Sequence, residues 1–599
     1  MKLKNILILA ALVASFSACA DLINPTQENI QTEEQMFKDP SSAQGILGYA
    51  YANLPFETKS NTDIATDDAV TNDLGNTLRT MAQGSWTAVN NPVSMWDARK
   101  STIQYLNLFI KNAAGVPWAS DEAKRTMFTD KLTGEALALR ALNMYYLLRN
   151  HAGWTASGEL LGVPIILEPE GEGSDFNQPR ATFEACVKQI YDDVDAAMEL
   201  LPMDYVDLGN ASQIPEKYKA IGVTNHVEYN AVFGATFNGR VSGRIAESIK
   251  VLTAILAASP AYAEASGVTY EDAAEVAASA LDRIGGVAGV DPTGYKWFMD
   301  KTTIDGLGSG ACPPEILWRG SINQGTEDYA FGINQEKENY PPTLYGSGRI
   351  NPTQNFVDAF PMANGYPIAD AESGYSATNP YADRDPRLSE YVIYNGATYK
   401  DTQIITGAYS TDNNGLNKTS TSTRTGYYLR KLLRDDCSAN PTATNAKKHY
   451  PVYIRYTELF LAYAEAANEA YGPSVAGPSG YSAYDVIKAI RSRAGVGADN
   501  GDAYLESIKN DQAKMRELIR NERRIELSFE NKRFWDMRRW GLDLNETAMG
   551  VKIEQNAGVL TFTPIEVEPR NYADYMYYGP IPETEVLKWS NLDQNKGWE

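Results

Sequence analysis

"RNERRIELSFENKRFWDMRRWG", residues 520–541, is the densest charged stretch of an otherwise acidic chain. Seven basic residues (Arg520, Arg523, Arg524, Lys532, Arg533, Arg538, Arg539) accompany four acidic ones (Glu522, Glu526, Glu530, Asp536), with Phe529, Phe534, Trp535 and Trp540 threaded between them. Such a mixture suits a nucleic-acid groove, a catalytic cluster or a buried structural knot. Read as a helix from Met515, positions 518, 519, 522, 525, 526 and 529 share one face. That face carries Leu518, Ile519, Ile525 and Phe529 together with Glu522 and Glu526, while Glu522, Glu526 and Glu530 recur every four residues. Carboxylates beside an apolar stripe are costly to desolvate unless paired, and arginine is the partner suited to such sites. Pairs within one helix contribute only a few tenths of a kcal/mol each, roughly, so tertiary partners must matter more.

The rest of the chain narrows the choice. Its 599 residues carry a formal net charge of −22, with 43% hydrophobic and 22% charged residues, as in ordinary globular proteins. That charge argues against nucleic acid as a partner, because phosphate binding needs a positive footprint. The three histidines, His151, His226 and His449, lie far apart and form no metal-ligand spacing, so no metal and no cofactor are implied. No G-x-S-x-G surrounds a serine, and no local acid pair stands out as a glycosidase motif. The Gly306, Gly308 and Gly310 run follows no clear strand and opens no helix, so it reads as a turn. "TDNNG" lacks the alternation of a calcium loop.

At the N-terminus, Lys2 and Lys4 precede the apolar run "ILILAALVASF" and then "SAC". This is a secretory signal too short to span a bilayer. Ser17 and Ala18 directly before Cys19 fit a lipoprotein cleavage site, which would leave Cys19 as the acylated first residue. Phe16 departs from the commoner Leu, and the other reading is ordinary cleavage after Ala18 or Ala20. The remaining Cys186, Cys312 and Cys437 are odd in number and imply no disulfide framework.

Helical periodicity appears in "TGEALALRALNMYYLLRN" (133–150), "TFEACVKQIYDDVDAAMELLP" (182–202), 243–264, 270–286, 456–472 and 482–496. Alanine-rich contact faces make these stacked helix pairs, closest to the tetratricopeptide type. Residues 300–450 are rich in Gly, Pro, Asn, Ser and Thr, and such long connections are expected to be functional surfaces.

Several blocks in order resemble the SusD/RagB family of outer-membrane glycan-binding lipoproteins. They are "INPTQENIQTEEQMFKDPSSAQGILGYAYANL", "GEALALRALNMYYLLRNHAGW…GVPII", "NPYADRDPRL", "YPVYIRYTELFLAYAEAANEAYG", "IRSRAGV", "RRIELSFENKRFWDMRRWG" and "GPIPETEVLKWSNLDQNKGW". The resemblance implies a mainly α fold: one SusD-like domain on about four tetratricopeptide-like pairs, with long loop-rich insertions and little β. It places a signal peptide at 1–18 and the domain at 19–599, with an N-terminal helical part of about 24–290 and a C-terminal part of about 310–599. It implies no enzyme but a surface protein that captures oligosaccharides. These would pass to a SusC-like TonB-dependent transporter, the protein being held to the outer membrane by lipid and facing the exterior. A surface-anchored glycoside hydrolase and a transporter lid with negligible glycan affinity are the other readings.

A sugar site needs flat apolar faces and planar polar groups, placed on loops. The stretch 66–92 offers Asp67, Asp68, Asn72, Arg79 and Trp86; the stretch 323–349 offers Tyr329, Phe331, Tyr340 and Tyr345. Trp96 and Trp318 sit in helix-like and strand-like segments and read as packed. If the likeness holds, the 520–541 motif would recur in relatives that bind different sugars, which removes the catalytic reading. It leaves a knot of Glu522, Arg523, Arg524, Glu526, Glu530, Arg533, Trp535, Asp536, Arg538 and Arg539 that locks the C-terminal body onto the helix pairs. The candidate loops carry no strong basic cluster, so neutral or weakly charged oligosaccharides are the expected ligands.

Overall fold

The computed structural model describes residues 32–56, 61–322 and 333–599. Cys19, Tyr329 and Phe331, together with the expected signal segment, lie outside the described residues. Helices Trp96–Asn112, Glu122–His151, Phe183–Leu200, Gly243–Ala257, Tyr270–Asp282, Tyr456–Tyr471 and Gln512–Glu526 pack each against the next in chain order. Ala483–Arg493 lies against Tyr456–Tyr471 and Gln512–Glu526. The described strands form only two-stranded antiparallel pairs, so the protein is mainly α.

Local chemistry sets these boundaries. Thr182 accepts a hydrogen bond from the Ala185 amide at 3.1 Å, and Ser482 forms a reciprocal box with Asp485. Both cap helix N-termini that their side chains are suited to close. The helix expected over 243–264 stops at Ala257, because Pro260 cannot continue it. Gly134, inside the longest helix, is a contact point: a Cβ there would lie 2.8 Å from Leu201 Cγ. Glycine is the residue that lets the end of Phe183–Leu200 approach so closely.

The opening stretch departs from one continuous helix. Its first helix ends at Glu526, and a second runs from Arg533 to Trp540. Between them Phe529 and Asn531 adopt left-handed backbone, with φ of 59° and 60°. Left-handed conformations are costly for a bulky side chain and persist only when the surroundings impose them. Here the Phe529 ring is buried 5.1 Å from Phe356. Phe529 and Glu530 therefore do not continue the helical face begun at Leu518.

The main apolar core runs from Phe37 through the stacked helices to Ile581 and Leu592, so the C-terminal tail closes onto the N-terminal helices. His151 links the two. Its Nδ1–H donates to the Pro580 carbonyl at 2.7 Å, and Nε2 accepts from the Met95 amide at 3.1 Å. Burial holds its pKa down at about 4, so the ring is neutral and fixed in one tautomer. A second core lies beneath the loops and includes Trp86, Phe356, Phe529, Phe534, Tyr572 and Trp598. A small third cluster gathers Tyr340, Ile393, Tyr399, Tyr428 and Cys437.

Candidate functional site

Most charges of the opening stretch are paired, many of them with partners far away in sequence. Glu522 binds Arg387 at 2.8 Å and Arg491 at 2.9 Å. Glu526 binds Arg493 at 2.9 Å and Arg387 at 3.0 Å, with Arg455 at 3.8 Å. Glu530 binds Lys431 at 2.7 Å and Arg455 at 2.8 Å. Asp536 joins Arg523 and Arg539, each at 2.8 Å, and Arg539 continues to Glu465 at 2.6 Å. Burial alone would raise the Glu526 pKa, but Arg493, Arg387, Arg455 and Lys431 hold it at about 2.

Arg538 has no carboxylate partner among the described residues. Its guanidinium lies 5.3, 5.2 and 5.0 Å from the Trp86, Phe534 and Trp535 rings, and its Nε donates to the Met576 carbonyl at 3.2 Å. Burial lowers its pKa to about 10, so it stays charged at neutral pH.

Three expected ligand residues belong to this interior. Asp67 receives Arg524 at 2.6 Å and Arg533 at 3.0 Å, and Asp68 receives Arg524 at 2.5 Å. Both aspartates are buried, so they act as anchors for the arginines, not as sugar acceptors. Trp86 is 2% exposed, with its indole N–H on Asn91 Oδ1 at 3.0 Å and its ring 5.0 Å from Trp598. No face is left for a sugar to stack on. Tyr340 is likewise fully buried, its ring 5.8 Å from Tyr399 and its hydroxyl on the Arg434 carbonyl. Trp96 and Trp318 are core residues.

The two candidate loops do converge. Ala69–Thr71 pairs with Ile350–Pro352, placing Thr71 opposite Ile350. Asn72 fastens the junction: its amide nitrogen donates to the carbonyls of Ser347 and Gly348 at 2.8 and 2.9 Å, and its oxygen accepts from Arg349 at 3.2 Å. Arg79 and Arg424 grip Glu568, each at 2.7 Å, which ties in the long C-terminal hairpin Ala548–Asn556/Val559–Glu568. Asn72 and Arg79 thus brace the face from behind.

Tyr345 stands out on this face at 56% exposure. It has left-handed backbone, φ 65°, in the turn after Pro341. Its amide donates to the Pro342 carbonyl at 3.0 Å. Asn414 fixes the same turn, with its oxygen accepting the Thr343 amide at 3.1 Å and its nitrogen donating to the Thr343 hydroxyl at 2.7 Å. The half-exposed Arg349 and the exposed Leu74 and Asp73 lie on the joined segments. Sequence reasoning missed Arg349 and Leu74. The signal was the proximity of Arg349 to Tyr345 in the chain, but nothing local revealed that 69–71 pairs with 350–352.

Two concavities elsewhere fit a sugar less well. A cleft of about 400 Å³ is lined by Asn238, Gly239, Leu307, Gly310, Arg319 and neighbours, without an aromatic face. Arg319 there is held by the carbonyls of Ala311, Gly308 and Gly320. The space of about 50 Å³ beside Phe56, Tyr453 and Lys532 has room for a few waters only.

The stack of paired helices carries a loop-built face on which the Tyr345 ring is exposed. The chain belongs to the SusD/RagB family. The SusD family model matches residues 314–598, and the model described as "Starch-binding associating with outer membrane" matches 28–222. A 168-residue stretch is 31% identical to the SusD-like protein P2 of Formosa agariphila, and the match spans 28% of this chain and 29% of that relative's length. Among solved structures, a SusD-like protein from Bacteroides fragilis aligns with TM-score 0.67 and 22% identity over 96% of this chain and 99% of its own. A SusD-like carbohydrate-binding protein from the same species aligns at 0.66 and 21%, over 93% and 99%. These two likenesses establish the shared fold. Among the described residues no helix is long and apolar enough to cross a membrane.

Proposed function

We propose that the protein captures oligosaccharides at the face built by the 69–79, 341–349 and 410–424 segments. The exposed Tyr345 on its tied turn carries this reading. An aromatic ring covers the C–H face of a sugar, and a turn fixed beforehand loses little entropy on binding. Arg349, on the same segment, already binds Glu338 and Asn72 at 3.1 and 3.2 Å, and its remaining N–H donors would serve hydroxyls. The family membership, the starch-binding description of the N-terminal family model and the carbohydrate-binding relative support the same ligand class. Bound glycan then passes to a SusC-like TonB-dependent transporter, with the protein tethered to the outer membrane through lipid on Cys19 and exposed to the exterior. The role is capture, not hydrolysis.

The test is affinity electrophoresis of the purified protein through gels containing plant, fungal or host polysaccharides, with released reducing ends assayed in parallel. Retardation by at least one neutral polysaccharide without new reducing ends is expected. No retardation in any gel would favour a lid without glycan affinity, and steady release of reducing ends would favour a hydrolase.

A further inference from the structure

Glu336, Cys437 and His449 come together beneath the surface, one potential ligand atom of each lying within 4.8 Å of the others. Glu336 sits on the helix Ile333–Asn339, while Cys437 and His449 flank a loop pinched by paired backbone bonds between Ser438 and Asn445. All three are buried, Glu336 and Cys437 completely. The sequence hid the set because its members follow no short-range ligand spacing.

Two details point to an ion. The His449 Nδ1–H donates to the Lys447 carbonyl at 2.8 Å, which fixes the ring and directs Nε2 toward Glu336 Oε1 at 2.9 Å. Metal-bound histidines are oriented by such a bond from the other ring nitrogen. Glu336 Oε1 also accepts the Arg434 amide at 2.8 Å, whereas its Oε2 is buried with no hydrogen-bond partner among the described residues. A carboxylate oxygen left bare in the interior is expensive. Nearby cations are engaged elsewhere: Arg434 pairs with Asp305 and Asp436, and the Lys400 ammonium meets the carbonyls of Asp435 and Cys437.

The geometry points to a transition-metal site, zinc in preference, formed by a Glu336 carboxylate oxygen, Cys437 Sγ and His449 Nε2. Mixed N, O and S donors at this separation suit tetrahedral zinc, with bonds of roughly 2.0–2.3 Å. Binding releases the thiol proton to solvent, and a water or backbone carbonyl takes the fourth position. The ion would staple the 437–449 loop to the 333–339 helix across the small Tyr340–Tyr399–Cys437 core.

The test uses the whole mature protein, stripped with chelator and reloaded with zinc or cobalt. Zinc is expected to bind at one equivalent per chain and raise the thermal midpoint, and cobalt is expected to give a thiolate charge-transfer band. Cys437→Ser and His449→Gln should abolish the equivalent, while Cys312→Ser keeps it. A wild-type chain that takes up no metal, or a cobalt complex without a thiolate band, would overturn the site; neither observation depends on a variant folding.

Discussion

Glu526 meets two arginines at hydrogen-bond distance with its whole side chain buried. Removing one member of such a set leaves charges uncompensated in the interior. Glu526→Ala is therefore expected to destabilise by about 3–5 kcal/mol in denaturant unfolding, without changing which glycans the folded protein retains. Because its folded pKa of about 2 lies below the ordinary value of 4.5, Glu526 contributes stability above pH 4.5 that fades as pH falls toward 2. Asp63 works in the opposite sense. Burial, then the neighbouring Asp68 charge, pushes its carboxyl up to about 8, against the smaller opposing effects of Lys431 and of the Phe529 and Asn531 backbone. Its contribution is complete below pH 4 and is lost as pH rises through 8. Asp63→Asn should therefore flatten the decline of the thermal midpoint between pH 5 and 8; an unchanged slope would show that Asp63 ionises freely. At Trp86, alanine should cost about 3–5 kcal/mol by leaving a cavity against Phe534, Tyr572 and Trp598. A variant as stable as wild type would contradict its place in the core.

At the scale of elements, what sequence reveals depends on how local the cause is. The helices at 183–200 and 483–493 were legible because Thr182 and Ser482 cap them within one turn. The break after Glu526 was not, since no glycine or proline marks it and it follows from Phe529 packing on Phe356. The helical face shows that Glu522 and Glu526 need partners from elsewhere, but nothing local in sequence singles out Arg387, Arg455, Arg491 and Arg493. Composition sets the two candidate loops apart, and segments in and beside them do meet. Composition could not tell Trp86, enclosed by Trp598 from the distant tail, from Tyr345, which faces solvent. Asp67 and Asp68 looked like sugar acceptors for the same reason: their arginine partners lie more than 400 positions away along the chain.

Across the whole molecule, the buried charge pairs and the proposed sugar-binding face lie in separate layers. The helix stack and the ionic network below it hold the second core, and the loops rest on that core through Asn72, Arg79, Arg424 and Glu568. Substitutions in the lower layer should therefore move stability, and those on the outer face should move affinity. Isothermal titration of wild-type protein and Tyr345→Ala with a polysaccharide that retards the wild type tests this division most directly. The account predicts saturable wild-type binding that is weakened about tenfold or more in the variant, roughly the 1–3 kcal/mol of a lost stacking contact, at an unchanged thermal midpoint. Equal affinity in the two proteins would contradict it and move the ligand site off this face.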